Sequence, residues 1–145
     1  MEKRIESVLE NQLCFLLYAN SREMTKKYKP LLTKLNVTYP QYLVLLVLWE
    51  QDALTVKKLG ELLALDSGTL TPMLKRMEQN ELIVRERSTE DERSVMIRLT
   101  KKGLDLKEEA CFIPERISDI SGEDKQVVED LKVSLLQLLK TLQAL

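Results

Sequence analysis

Cys14 lies in the run Leu13-Cys14-Phe15-Leu16-Leu17-Tyr18, and it is one of two thiols in a chain of 145 residues without a histidine. The thiolate is the form of cysteine that attacks a peroxide, and an ordinary thiol with a pKa of about 8.5 is only slightly ionised at neutral pH. Something must therefore stabilise the anion. This composition offers phenolic hydroxyls that donate hydrogen bonds, aided by a helix end. Tyr18 follows Cys14 by one helical turn, and Tyr28 and Tyr39 lie further along. Taken singly, each tyrosine also fits an amphipathic core residue with its hydroxyl at the surface, which is the preferred reading of Tyr42. Cys14 alone would read as an inert buried thiol.

Other chemistry is narrowed quickly. Without histidine, Ser-His and Cys-His catalysis and histidine-ligated metals are excluded. Cys14 and Cys111 are too few for a disulfide scaffold and lack zinc-site spacing, so no metal or cofactor is expected. No apolar run reaches the ~18 residues needed to span a bilayer, and Met1-Glu2-Lys3-Arg4 leads into no signal-peptide core, so the chain reads as cytoplasmic. The formal net charge is −1, but residues 55–103 carry 10 basic and 8 acidic side chains while residues 104–145 carry 5 and 9. Any surface for phosphate therefore belongs in the middle third.

Periodicity supplies the elements that must position these groups. From Val8 to about Tyr28, apolar residues at Leu9, Leu13, Leu16, Leu17, Ala19 and Met24 predict one amphipathic helix. Thr38 and Gln41 fit a capping box with Pro40 in the first turn, opening a helix through the apolar run from Tyr42 to Trp49. Asp52 to Leu54 is a turn, and Thr55 caps a short helix with Val56, Leu59, Leu62 and Leu63 on one face. Leu65-Asp66-Ser67-Gly68 is a second turn. Helical spacing resumes over Thr69 to Gln79, with Pro72 expected in the first turn or at a kink. Leu82 to Arg87 and Ser94 to Leu99 read as strands joined by a polar loop, since Val95, Ile97 and Leu99 alternate with Ser94, Met96 and Arg98.

Helix, turn, helix and hairpin make a winged helix-turn-helix, so the predicted fold is mainly α with a small β-hairpin wing. After Gly103 helix returns, with Pro114 as a kink and Ser121-Gly122 as a break. The last stretch is apolar at Val128, Leu131, Leu135, Leu138, Leu139 and Leu142. Such a stripe packs either on its own domain or on a second subunit; with an apolar first helix at the other end, homodimerisation through both termini is the more economical account. The expected organisation is one domain over residues 1–145, with 1–36 and 104–145 as dimerisation helices and 37–103 as the DNA-binding region.

A recognition helix needs short polar side chains at its N-terminal end for base edges and cations further along. Ser67, Thr69, Thr71, Lys75 and Arg76 meet that demand, although Ser67 also reads as a cap and Lys75 and Arg76 as a solvated face. Arg93 at a hairpin tip suits the negative potential of a minor groove, with Asp91 pairing to hold it extended. Lys57, Lys58, Arg85 and Arg87 read as phosphate contacts. Arg98 is either a contact or an exposed strand residue.

These residues give the chain a resemblance to the MarR family of winged-helix repressors over essentially its whole length. The resemblance is carried by Asp91-Glu92-Arg93-Ser94 followed by Val95-Met96-Ile97-Arg98-Leu99-Thr100 and Gly103, together with Leu65 through Glu78. More narrowly, Glu10 through Tyr18 and Leu35 through Tyr42 look like the organic hydroperoxide resistance regulators, which carry a reactive cysteine in the first helix. The resemblance implies a dimeric repressor on a palindromic double-stranded operator, released when an organic hydroperoxide oxidises Cys14. It also implies that Tyr28 and Tyr39 approach Cys14 from the partner subunit. Cys111 is either a resolving cysteine or a spectator. Two alternatives stay open at this point: a repressor induced by a noncovalent aromatic ligand, and a thiol peroxidase, which would want a βαβ scaffold that this pattern lacks.

Overall fold

The computed structural model describes residues 2–87 and 94–145; the expectations for Asp91 and Arg93 fall outside the described residues. Two compact units result, Met1–Ile113 and Pro114–Leu145. In the first unit α1 (Glu2–Glu10), α2 (Leu13–Thr33) and α3 (Tyr39–Glu50) precede β1 (Leu54–Thr55), α4 (Val56–Leu63) and α5 (Ser67–Gln79). β2 (Ile83–Arg87) and β3 (Val95–Leu99) then lead to α6 (Lys101–Ala110), and α7 (Ile113–Ser121) begins at the unit's edge. The sheet is antiparallel in the order β1-β3-β2, with Arg85 opposite Ile97 and Leu54 also opposite Ile97 on the other side.

Local chemistry accounts for most boundaries. Thr38 Oγ1 accepts from the Gln41 amide at 3.3 Å while the Thr38 amide donates to Gln41 Oε1 at 3.0 Å, so the capping box is complete and α3 starts where expected. Thr55 Oγ1 accepts from the Lys58 amide at 3.0 Å and opens α4. Burial then fixes the packing: Val44, Leu45 and Leu48 of α3, Leu59 of α4, and Leu70, Leu74 and Met77 of α5 surround Ile83 and Ile97 of the sheet, all essentially inaccessible. The α5 residues fall at i, i+4 and i+7, one stripe of a helix, which leaves its opposite side to solvent.

Four predicted features are corrected. The first helix is two: α1 ends at Glu10, where the Asn11 side-chain amide donates to the Ser7 carbonyl at 2.8 Å, and Gln12 is extended (φ −98°, ψ 107°) before α2 begins. Leu54 and Thr55 belong to a third strand, too short for any period to announce. α5 starts at Ser67, two residues early, and runs through Pro72, whose missing N–H leaves the Gly68 carbonyl without its helical partner. Pro114 sits in the first turn of α7, where its fixed φ suits a helix start, so it marks no kink.

Gly103 joins three elements. A Cβ there would collide with the Leu82 carbonyl oxygen, so only glycine lets α6 approach the chain just before β2 so closely. Its own carbonyl accepts from Trp49 Nε1 at 2.9 Å, tying α3 to α6. Asp52 Oδ1 accepts the Leu99 amide at 2.9 Å, extending the β1 side of the ladder with a side chain.

The second unit holds the rest of α7 and α8 (Lys125–Gln143). Gly122 at φ +67° makes the break between them, and Asp124 Oδ1 accepts the Gln126 amide at 2.7 Å to start α8. No α8 residue is buried, and Val127, Leu131, Val133, Leu135, Leu136, Leu139 and Leu142 are exposed.

Candidate functional site

The break at Asn11 and Gln12 puts Cys14 in the first turn of a 21-residue helix. Backbone N–H groups there lack intrahelical acceptors, and the helix dipole adds partial positive charge, so the position favours an anion. Cys14 is exposed and unpaired, as is Cys111 at the end of α6. Tyr18, one turn past Cys14, is 61% exposed, and the Arg22 guanidinium carbon lies 5.4 Å from its ring centroid. Arg22 was legible only as an i+4 neighbour of Tyr18.

Tyr28 and Tyr39 meet each other instead. Their ring centroids are 4.8 Å apart, and Tyr42 stands 6.0 Å from Tyr28 and 6.4 Å from Tyr39. Burial raises the ionisation of all three phenols above the ordinary tyrosine range, and at Tyr28 the charge that Tyr39 would carry adds to it. At neutral pH these hydroxyls are protonated donors. Tyr42 is the core residue the sequence suggests. Within one chain Cys14 and Tyr28 are separated by 14 residues of one helix, roughly 21 Å at 1.5 Å per residue. The structure therefore brings the tyrosines together and keeps Cys14 and Tyr18 apart from them inside a single protomer.

At the other end, α5 presents Ser67, Thr69, Lys75 and Arg76 to solvent, with Thr71 half-buried. Thr69 Oγ1 donates to Asp66 Oδ1 at 2.7 Å, and this bond is the main cause that holds the Asp66 carboxyl below its usual range. With its proton so engaged, the Thr69 hydroxyl offers a base edge only acceptor lone pairs. Lys57 and Lys58 are exposed in the first turn of α4. Arg87 is exposed on β2. Arg85, expected as a phosphate contact, is paired within the chain: its Nε is 3.2 Å from Glu78 Oε1 and its amide donates to Glu78 Oε2 at 3.0 Å. Arg98 pairs with Glu86 across β2 and β3 at 3.4 Å, the exposed-strand alternative. Glu78 itself gave no signal in the sequence, because its partner is seven residues away in another element.

Among the described residues no cluster of ligating side chains could hold a metal, and no helix is long and apolar enough to cross a membrane. The profile of the family described as Transcriptional regulator SarA/Rot matches residues 26–110. The chain is 64% identical over 143 residues to the organic hydroperoxide resistance transcriptional regulator of Bacillus subtilis (strain 168), covering 98% of this chain and 97% of that one. The chain belongs to the MarR family of winged-helix transcriptional regulators, in its organic hydroperoxide resistance subgroup. Among solved members, reduced AbfR bound to DNA is 39% identical with a TM-score of 0.78, covering 98% of this chain and 97% of that one. Disulfide-formed AbfR is 43% identical with a TM-score of 0.65, covering 95% and 97%. A family of DNA-binding regulators removes the thiol peroxidase alternative. In MarR terms α4 and α5 are the helix-turn-helix and β2 with β3 the wing.

Proposed function

We propose that this protein is a dimeric, cytoplasmic DNA-binding repressor that leaves its operator when an organic hydroperoxide oxidises Cys14. The observation that carries the reading is the exposed thiol in the first turn of α2, in a chain so close to a hydroperoxide resistance regulator. The thiolate sulfur attacks one peroxide oxygen, the O–O bond breaks, and the alkoxide leaves and takes up a proton as the alcohol. Sulfur retains the other oxygen as a sulfenic acid, which condenses with a second thiol to a disulfide and releases water.

Because Tyr28 lies roughly 21 Å along α2 from its own Cys14 and Tyr39 of α3 packs against Tyr28, their protonated hydroxyls serve the thiol of a second subunit. The exposed apolar faces of α1, α2 and α8 are the surfaces for that dimer, and residues 1–36 and 104–145 are its dimerisation segments. Residues 37–103 form the DNA-binding region. Ser67, Thr69 and Thr71 face bases, Lys75 and Arg76 face bases or phosphate, and Lys57, Lys58 and Arg87 contact phosphate.

The direct test is a mobility shift of operator DNA with the reduced protein, repeated after an organic hydroperoxide and again after a reducing thiol. Binding, release and recovery are expected; binding unaffected by the peroxide overturns the reading. A two-fold dimer also requires a palindromic operator with half-site centres about one helical turn apart. Arg93→Ala, with Asp91 its expected partner, is predicted to weaken binding by about 1–3 kcal/mol per half-site. Titration of labelled operator checks the magnitude, and footprinting of a single asymmetric half-site would contradict the geometry.

A further inference from the structure

Glu78 stands in the last turn of α5 and receives two hydrogen bonds from one residue of the wing. The Arg85 amide donates to Oε2 at 3.0 Å and Arg85 Nε donates to Oε1 at 3.2 Å. β2 is an edge strand, paired only with β3, so this amide is an edge donor that a helix side chain satisfies. Using both carboxylate oxygens fixes direction as well as distance. The covalent link between α5 and β2 is short but includes Glu81 in the left-handed region at φ +62°, and the Leu82 amide closes it by donating to the Met77 carbonyl at 3.0 Å. On its far side the hairpin is held by the pairing of β3 with β1, and Glu78 holds the β2 edge directly to α5.

We infer that Glu78 is a positioning residue for operator binding: its carboxylate sets the pose of the wing on the recognition helix so that both reach DNA together. This rests on the DNA-binding reading above. Recognition helix and wing must dock in one event, and a β2 edge no longer held to α5 adds an ordering cost to every association. Electrostatics gives the opposite expectation for a carboxylate with no such role. A negative charge beside a phosphate surface opposes binding, so removing it would tighten the complex. The sign of one substitution therefore separates the two.

The experiment uses the full chain and its palindromic operator. Glu78→Ala and Glu78→Gln are measured by fluorescence anisotropy across a salt series, by hydroxyl-radical and methylation-protection footprinting, and by thermal melting. Glu78→Ala is expected to bind about tenfold more weakly, the scale of losing a charge-assisted hydrogen bond. Minor-groove protection flanking each half-site should fade while major-groove guanine protection persists. Glu78→Gln keeps a carbonyl for the Arg85 amide and should fall between, with its melting temperature close to the parent's. Unchanged or tighter binding, or equal loss in both grooves, overturns the inference. Should Glu78→Ala fail to fold, Glu78→Gln and Arg85→Ala decide: weaker binding with selective loss of minor-groove protection supports the role, and anything else overturns it. Failure of the parent chain itself to bind operator would instead sink the DNA-binding reading.

Discussion

Cys14→Ser is expected to bind operator in reducing buffer with near-parental affinity and to lose release by organic hydroperoxide entirely. Serine keeps the size of the side chain and removes the oxidisable atom, and position 14 is exposed, so no core contact is at stake. Cys111→Ser divides the routes that follow. If Cys111 resolves the sulfenic acid, oxidised parent runs as a disulfide-linked dimer on a non-reducing gel and the variant does not. If Cys111 is a spectator, the variant responds like the parent, with a small thiol joined to Cys14. Tyr28→Phe and Tyr39→Phe each delete a hydroxyl donor from a half-buried ring while keeping the ring contacts, and each should slow oxidation about tenfold, the worth of a hydrogen bond to a charged acceptor. Stopped-flow oxidation checks the rates. Release of Cys14→Ser by peroxide would hand the inducer role to a noncovalent ligand.

The second large effect belongs to α8. Leu135→Asp with Leu138→Asp should give monomer or unfolded chain in sedimentation and abolish operator binding. A fully buried leucine contributes about 1.5–3 kcal/mol, and a two-fold interface counts each site twice, so the pair removes on the order of 6–12 kcal/mol before the cost of burying charge. Neither leucine is buried in the chain by itself. A folded monomer that still holds its operator tightly would contradict the dimeric reading.

What the sequence made legible was local. Thr38 with Gln41 and Thr55 before Val56 announce helix starts because a cap acts over three residues, and Val95, Ile97 and Leu99 announce β3 by alternation. The division of the first helix escaped because Ser7, Asn11 and Gln12 are each compatible with a helix interior, and the break is a change of backbone at Gln12 that no residue type announces. Two-residue β1 carries no period at all. For the candidate site, residue types were readable but partnerships were not. Tyr28 meets Tyr39 across two helices, and Arg85 pairs with Glu78 of α5. The proposed service of Cys14 by tyrosines of another subunit would leave no spacing within one chain, which is why only likeness to known regulators pointed to it.

Trp49 is the chain's only tryptophan, and its indole N–H donates to the Gly103 carbonyl while Tyr42 stands edge-on at 6.3 Å. The emission of an indole depends on whether that N–H is bonded and on the polarity around it, and neighbouring phenols pass it their excitation. The seam between α3 and α6 thus carries its own optical reporter, with Tyr28, Tyr39 and Tyr42 as antennae on the side of the candidate sensor. Ultraviolet light alone can then follow how that seam behaves as peroxide is added or operator removed, in the unlabelled protein and in real time.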